Sequence, residues 1–180
     1  MQSQQSVVEL LQQYLVNAAE TEHSTVRTIQ EFVQQQPAYW SRSTLVGHLT
    51  ASAWITNAAR DKAVLLHHRK LDIWVQPGGH IDDQDQSLLL ASQREANEET
   101  GLQDFKLVMQ GIFDVDIHPI PARKDEPAHE HLDIRFWFET ADENLVLSDE
   151  SNDLCWLSKE QIMAKTNEES VLRMVRKSMV

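Results

Sequence analysis

Three glutamates on one turn of a helix constrain this chain more than any other feature. Glu95, Glu98 and Glu99 fall at spacings of three and four inside a segment from Ser87 to Thr100 that reads as a long helix, ended by Gly101 at its carboxyl cap. That spacing sets the carboxylates side by side on one helical face, where like charges repel by roughly 0.2–0.5 kcal/mol per exposed pair and by more if partly buried. A solvated acidic face would account for the charges but not for the paired glycines Gly78 and Gly79 before the helix, nor for the Glu-Thr-Gly-Leu that closes it. Something positive is needed. Arg94, four residues before Glu98, supplies one guanidinium fork, which cannot balance three carboxylates. A hard divalent cation such as Mg2+ would, because it prefers oxygen ligands and combines a few carboxylates with substrate phosphates. Gly78 and Gly79 carry no side chain and so let a backbone carbonyl or amide approach such a metal or a phosphate.

Around this helix the pattern alternates between strand and helix. LVGHLTASAWIT and KAVLLHHR, divided by the polar turn NAARD, read as two strands, and DIWVQ as a short segment leading into the turn PGGHIDDQDQ. FKLVMQGIFDVDIH and HLDIRFWFE read as further strands. In the second, Leu132, Ile134, Phe136 and Phe138 form a core face, alternating with His131, Asp133, Arg135 and Trp137. LCWLS is a final short strand, followed by helices over Lys159 to Lys165 and Glu168 to Lys177. PIPARKDEPAH, with three prolines, is expected to be a surface loop. Ahead of all this, residues 1–42 read as an N-terminal extension: a helix from Ser6 to about Glu20, with Ser6 and Glu9 as a capping box, and a second from Thr25 to Gln35 stopped by Pro37. Together they form a helical hairpin, for which packing, lidding of a substrate or assembly into a homodimer are all open. Residues 43–180 form the main domain.

The balance of charge narrows the partners. With 28 acidic against 16 basic residues and a net charge of -12, the chain repels the backbone of nucleic acids and an anionic membrane surface. No apolar run approaches the ~20 residues of a spanning helix. A single cysteine, Cys155, excludes an internal disulfide and a cysteine-rich zinc site. With no basic segment and apolar stretch at the amino terminus, the cytoplasm is the expected compartment.

The stretch PGGHIDDQDQSLLLASQREANEETGL strongly resembles the signature of the Nudix superfamily, through Gly79, Arg94, Glu95, Ala96, Glu98, Glu99, Gly101 and Leu102. It departs in two ways. Asp85 stands in the place of the first glutamate, and Arg94 follows Gly79 one residue later than usual, an insertion expected within Asp82 to Ser87 so that the helix keeps its phase. The resemblance implies an α/β/α sandwich with a mixed sheet, here preceded by the helical hairpin. It implies a hydrolase that holds Mg2+ or Mn2+ and splits the phosphoanhydride of a small-molecule nucleoside diphosphate derivative with activated water. Glu95, Glu98, Glu99 and the carbonyl of Gly79 would be the metal ligands, and Arg94 would orient them. The family draws its general base from the box or from a later loop, so Glu126, Glu130, Asp133 and the box glutamates all remain open.

Arg69 and His80, near the glycine turn, are the favoured contacts to substrate phosphate, and Trp74 and Trp137 are candidates for stacking. His118, His129 and His131 lack a fourth ligand at a recognisable spacing and read as loop histidines and not as a zinc site. Two competing functions follow from the same motif. One is a Nudix-like module that binds a nucleotide derivative without cutting it. The other is an isomerase, which would need an acid or Cys155 opposite the glutamates.

Overall fold

One strand, β1 (Gly47–Asn57), is buried along its whole length and carries the architecture. Alternation sends Leu49, Ala51, Ala53 and Ile55 to one face of the sheet and His48, Thr50, Ser52 and Trp54 to the other. In the computed structural model, which describes residues 1–123, 127–149 and 151–180, β1 pairs in parallel with β7 (His129–Thr140) from Gly47 opposite Glu130 to Asn57 opposite Thr140. The other edge of β1 is shared by β2 (Lys62–His68) and β4 (Gly78–His80), both antiparallel. Beyond them, β3 (Ile73–Val75) and β8 (Ser151–Ser158) flank β2, while β5 (Lys106–Leu107) and β6 (Asp114–Ile120) pair with β7. The described residues thus form an eight-stranded mixed sheet.

Helices cover both faces. α3 (Leu88–Thr100) is capped by Ser87, whose hydroxyl accepts from the Leu90 amide, and is ended by Gly101 at φ 75°, a left-handed conformation that glycine adopts at little cost. Its Leu88, Ala91 and Ala96 join Leu49, Ile55, Ile134 and Phe136 in one buried cluster. α1 (Gln4–Leu15) and α2 (His23–Gln35) bury Val7, Leu11, Val26, Ile29 and Val33 in that same cluster, so the N-terminal hairpin shares the core of the sheet. On the opposite face Trp54, Leu65, Phe113 and Trp137 pack with Ile162 of α4 (Lys159–Lys165) and with Val171 and Met174 of α5 (Glu169–Ser178).

Four local expectations shift. The cap of α1 is Ser3, not Ser6: the Ser3 hydroxyl accepts from the Ser6 amide, which puts Ser6 inside the first turn. The helix ends at Leu15 because the chain then bends through a 3-10 turn at Glu20–Glu22, where the buried Glu22 carboxylate accepts from the Ala19 amide and the Tyr14 hydroxyl. The stretch FKLVMQGIFDVDIH is two strands, β5 and β6, separated around Gly111 at φ 87°. Finally, Gly78–His80, expected as a turn, is strand β4, to which glycines contribute no propensity of their own.

A buried ion network fastens α5 to the sheet. The Arg135 side chain, 2% exposed, donates to Asp133 Oδ2 at 2.7 Å and to Asp114 Oδ2 at 3.1 Å. Asp114 also accepts from Arg173 Nη2 at 2.8 Å and Lys177 Nζ at 2.7 Å, both on α5. Burial pushes the Asp114 carboxyl up, but Arg173, Arg135 and Lys177 outweigh it, and the net direction is down. A depressed carboxylate contributes stability that is fully present above its unfolded pKa of about 3.9 and is lost as pH falls towards the folded value. Asp114→Asn removes the buried anion that Arg135, Arg173 and Lys177 share, so the urea unfolding free energy at pH 7 is expected to fall by about 3–5 kcal/mol. The variant should also lose less further stability than the wild type on acidification below about pH 4. An unfolding midpoint unchanged from wild type at pH 7 would show that Asp114 does not hold α5.

Candidate active site

α3 and β4 meet at the two glycines. Glu99 Oε2 accepts from the Gly78 amide at 2.8 Å. The space where Gly79 would carry a Cβ is filled by the Glu95 carboxylate, whose Oε2 lies 2.6 Å from that position, while a Cβ on Gly78 would stand 2.6 Å from Ser52 Cα. Neither glycine tolerates a side chain with these neighbours in place. Burial pushes the Glu95 carboxyl up to about 7; Arg94 opposes the shift and Glu98 adds to it.

Arg94 ties the cluster together. Its Nη1 donates to Glu95 Oε1 at 2.8 Å and to Glu98 Oε2 at 3.1 Å. Its Nε and Nη2 grip Asp85 at 3.2 and 2.9 Å, and Nη2 also donates to the His80 carbonyl at 2.9 Å. Burial raises the Asp85 carboxyl, but the Arg94 hydrogen bond, the Asp82 amide and the Arg94 charge more than offset it, leaving it below the usual range. The shorter acid in the place of the first glutamate therefore anchors the arginine. α3 runs unbroken from its Ser87 cap through Arg94 to Glu99, as expected if the extra residue of the box precedes the helix.

All three glutamates open onto one cavity of about 840 Å3, together with Gly78, Gly79 and His80. Thr50, Ser52, Asp133 and Arg135 also line it; Leu71, Ile73 and Val75 provide apolar wall, and Arg42, Lys70 and Arg123 add positive charge. Arg69 is not among the lining residues. Its Nη2 donates to the Ser151 carbonyl at 3.3 Å, while His68 and Lys70 on either side of it reach the cavity. Arg42 belongs to the segment read as the N-terminal extension, and no sequence signal marked it. Trp137 is buried with Nε1 donating to Thr56, and Trp74 stacks on His67; neither lines the cavity.

The open candidates for a base separate clearly. Asp133 is 1% exposed and accepts from Thr50, Ser52, Gln76 and Arg135, at 2.9, 2.8, 3.3 and 2.7 Å. A carboxylate has about four lone-pair sites, so these bonds occupy it fully and make it part of the floor. Glu130 is exposed and alternates away from His129 and His131, off the cavity. Glu126 lies outside the described residues.

The histidines expected in a loop lie on strands. His118 is on β6, and His129 and His131 are on β7; sequence reasoning missed that His48 of β1 and His80 of β4 join them. Ring centroids of His48 lie 5.1, 5.1 and 4.9 Å from those of His80, His129 and His131. Burial and the neighbouring His80, His118 and His48 hold the His131 ring far below its ordinary pKa, at about 2, so it is neutral. The available signal was strand alternation: His48, Thr50 and Ser52 share a face with His131, Asp133 and Arg135.

No helix of the described residues is long and apolar enough to cross a membrane. The "Probable DHNTP pyrophosphohydrolase" of Lactococcus lactis subsp. cremoris is 28% identical over 136 residues, covering 74% of this chain and 79% of that relative. The crystal structure of a NUDIX family hydrolase from Clostridium perfringens is 26% identical, with a TM-score of 0.55 over 72% of this chain and 95% of that one. The NUDIX domain of Shewanella oneidensis NrtR, solved as a complex with ADP ribose, matches in fold with a TM-score of 0.55 at 15% identity, over 92% of this chain and 94% of that one. The family model for the NUDIX domain matches residues 47–177, from the start of β1 into α5, a span that holds every lining residue named above except Arg42, and the chain belongs to the NUDIX family.

Proposed function

We propose that the chain hydrolyses a phosphoanhydride in a small nucleoside diphosphate derivative or a related heterocyclic polyphosphate. The observation that carries this reading is the opening of all three box glutamates, beside two glycines without room for side chains, onto one cavity. The donor set fits Mg2+ or Mn2+: Glu95, Glu98, Glu99 and the Gly79 carbonyl are hard oxygen ligands, and one arginine leaves their charge unbalanced. When bound there, the ion supplies neutralisation of phosphate charge and a more acidic bound water.

The side chains divide the remaining work. Arg94 positions Glu95 and Glu98 without facing the substrate. Lys70, Arg42 and Arg123 bring positive charge towards an anionic ligand in a chain of net charge -12. The floor of Asp133, Thr50 and Ser52 is rigid because its hydrogen bonds are mutually satisfied. We assign activation of water to the box, with Glu98, whose side chain is 56% exposed, the carboxylate that water reaches most readily. Leu71, Ile73 and Val75 accept the non-phosphate part of the ligand. The Lactococcus relative's name and the ADP ribose of the Shewanella domain make a pterin triphosphate and ADP-ribose first choices for a substrate panel. An isomerase that used Cys155 is not favoured, since that thiol donates to Asp153 and is not a lining residue.

A panel of nucleoside triphosphates, nucleotide sugars, dinucleotide polyphosphates, ADP-ribose and dihydroneopterin triphosphate, assayed with Mg2+ and with Mn2+ for phosphate-containing products, is expected to show turnover of at least one. Tight binding of a member with no turnover of any would replace the hydrolase by the non-catalytic module. On the best substrate, Glu98→Gln is expected to lower kcat by about a hundredfold or more with an unchanged fold, and near-normal activity would reject the assigned site. Gly79→Ala makes a sharper test of geometry. Its methyl group takes the place of the Glu95 carboxylate, so activity should fall to near the Glu95→Gln level while the melting temperature stays close to wild type. Wild-type turnover in Gly79→Ala would show that the contact has no role.

A further inference from the structure

The cavity face of the sheet carries a second set of ligands that the glutamate box does not use. Register assembles it. His48 of β1 is opposite His131 of β7, and His131 is opposite His118 of β6. His80 of β4 is opposite Thr50, the next residue on the same face of β1 as His48. The ligand nitrogens of His48, His80 and His131 all lie within 4.8 Å of one another, and this triad is the group of three potential metal ligands that meets that spacing among the described residues. His131 Nε2 is buried and has no hydrogen-bond partner among the described residues. Three imidazoles converge here from three strands, each with a nitrogen lone pair to offer once it is neutral.

We propose that His48, His80 and His131 form a second metal site, separate from the oxygen-ligand site of the box, that takes a divalent cation of the Zn2+ class and leaves one coordination position open to the cavity. The donor chemistry separates the two sites. Carboxylates and carbonyls suit Mg2+ and Mn2+, whereas imidazole suits Zn2+ and the later transition ions. Zn–N bonds of about 2.0–2.1 Å at a tetrahedral angle set ligand nitrogens about 3.4 Å apart, a separation inside the 4.8 Å within which these three nitrogens lie. Three protein ligands with a fourth place unfilled is the pattern of zinc sites that hold a water or a ligand oxygen. His80 and His131 line the cavity, and His48 sits behind them, 1% exposed, so the unfilled place faces the space where the ligand binds. His129, stacked on His48, and His118, edge-on to His131, hold the rings from the sides, and His129 Nδ1 is itself fixed on the Pro127 carbonyl at 2.9 Å. His80 follows Gly79 directly on β4, and both residues line the same cavity.

Chelator-treated full-length protein, titrated calorimetrically with ZnCl2 in the presence of about a hundredfold excess of Mg2+, is expected to bind one Zn2+ per chain with a raised melting temperature. Co2+ in place of Zn2+ should give the intense visible bands of a four-coordinate ion, and inorganic pyrophosphate should perturb them by taking the open position. His131→Asn and His80→Asn should each weaken Zn2+ binding by about a hundredfold and abolish the zinc-dependent thermal shift, with far-UV circular dichroism reporting whether each variant folds. Glu98→Gln should keep the site. Absence of stoichiometric Zn2+ binding would overturn the proposal, as would full binding in folded His80→Asn, or binding lost in Glu98→Gln and kept in the histidine variants.

Discussion

The parallel pairing of β1 with β7 is the constraint on which everything else rests. Side chains on a strand alternate with a period of two, so a slip of one residue in this register would turn His48, Thr50 and Ser52 into the apolar cluster under α3 and expose Leu49, Ala51 and Ala53 to the cavity. The apolar face is packed too closely to allow that, with Leu49, Ala51, Ala53 and Ile55 fully buried. Hydrophobic burial on one side thereby fixes the positions of polar groups on the other. Asp133 is opposite Thr50, and Arg135 is opposite Ser52, because Ile134 is opposite Ala51 in the core between them.

Charge placement then follows from burial. Arg135 and Asp133 are almost wholly buried, and each survives as an ion because it is paired with the other and hydrogen-bonded to further partners. The chain of contacts from Lys177 and Arg173 through Asp114 to Arg135 and Asp133 joins the C-terminal helix to the floor of the cavity without a gap. Glu22, between the first two helices, binds Lys177 as well, so the N-terminal hairpin is tied to the same network. Rigidity at the floor is a product of this network.

Where the sequence was legible, the signal was local and periodic. The glutamate spacing, Ser87 and Gly101 define α3 almost to the residue, and the alternation Leu132, Ile134, Phe136, Phe138 assigns both faces of β7. The insertion in the box could be placed before Ser87 because only that placement keeps Glu95, Glu98 and Glu99 in phase. What was not legible depends on register between distant strands. Nothing near His48 announces that it meets His131, and the spacing of His118, His129 and His131 alone resembles a loop. Arg69 and Lys70 are equally basic and adjacent, and only the course of the chain between β2 and β3 decides which one reaches the cavity. Glycine hid β4 for a different reason: residues without side chains give no periodic pattern, so a strand made of Gly78, Gly79 and His80 reads as a turn.

That tripeptide is where the two halves of the site meet. Gly78 and Gly79 bring bare backbone against Glu99 and Glu95; a side chain on Gly79 would drive the Glu95 carboxylate off, and one on Gly78 would run into Ser52. His80 is the first residue of the three with a side chain, and its ring turns towards His48 and His131, while its carbonyl is held by Arg94. Arg94 thus fixes the box through Glu95 and Glu98 and fixes β4 through the carbonyl of His80. A displacement of the guanidinium would loosen carboxylates and imidazoles together, although only the carboxylates touch it. The bidentate grip of Asp85 on Arg94 is what resists that displacement, which gives the shorter acid at this position a role in both clusters.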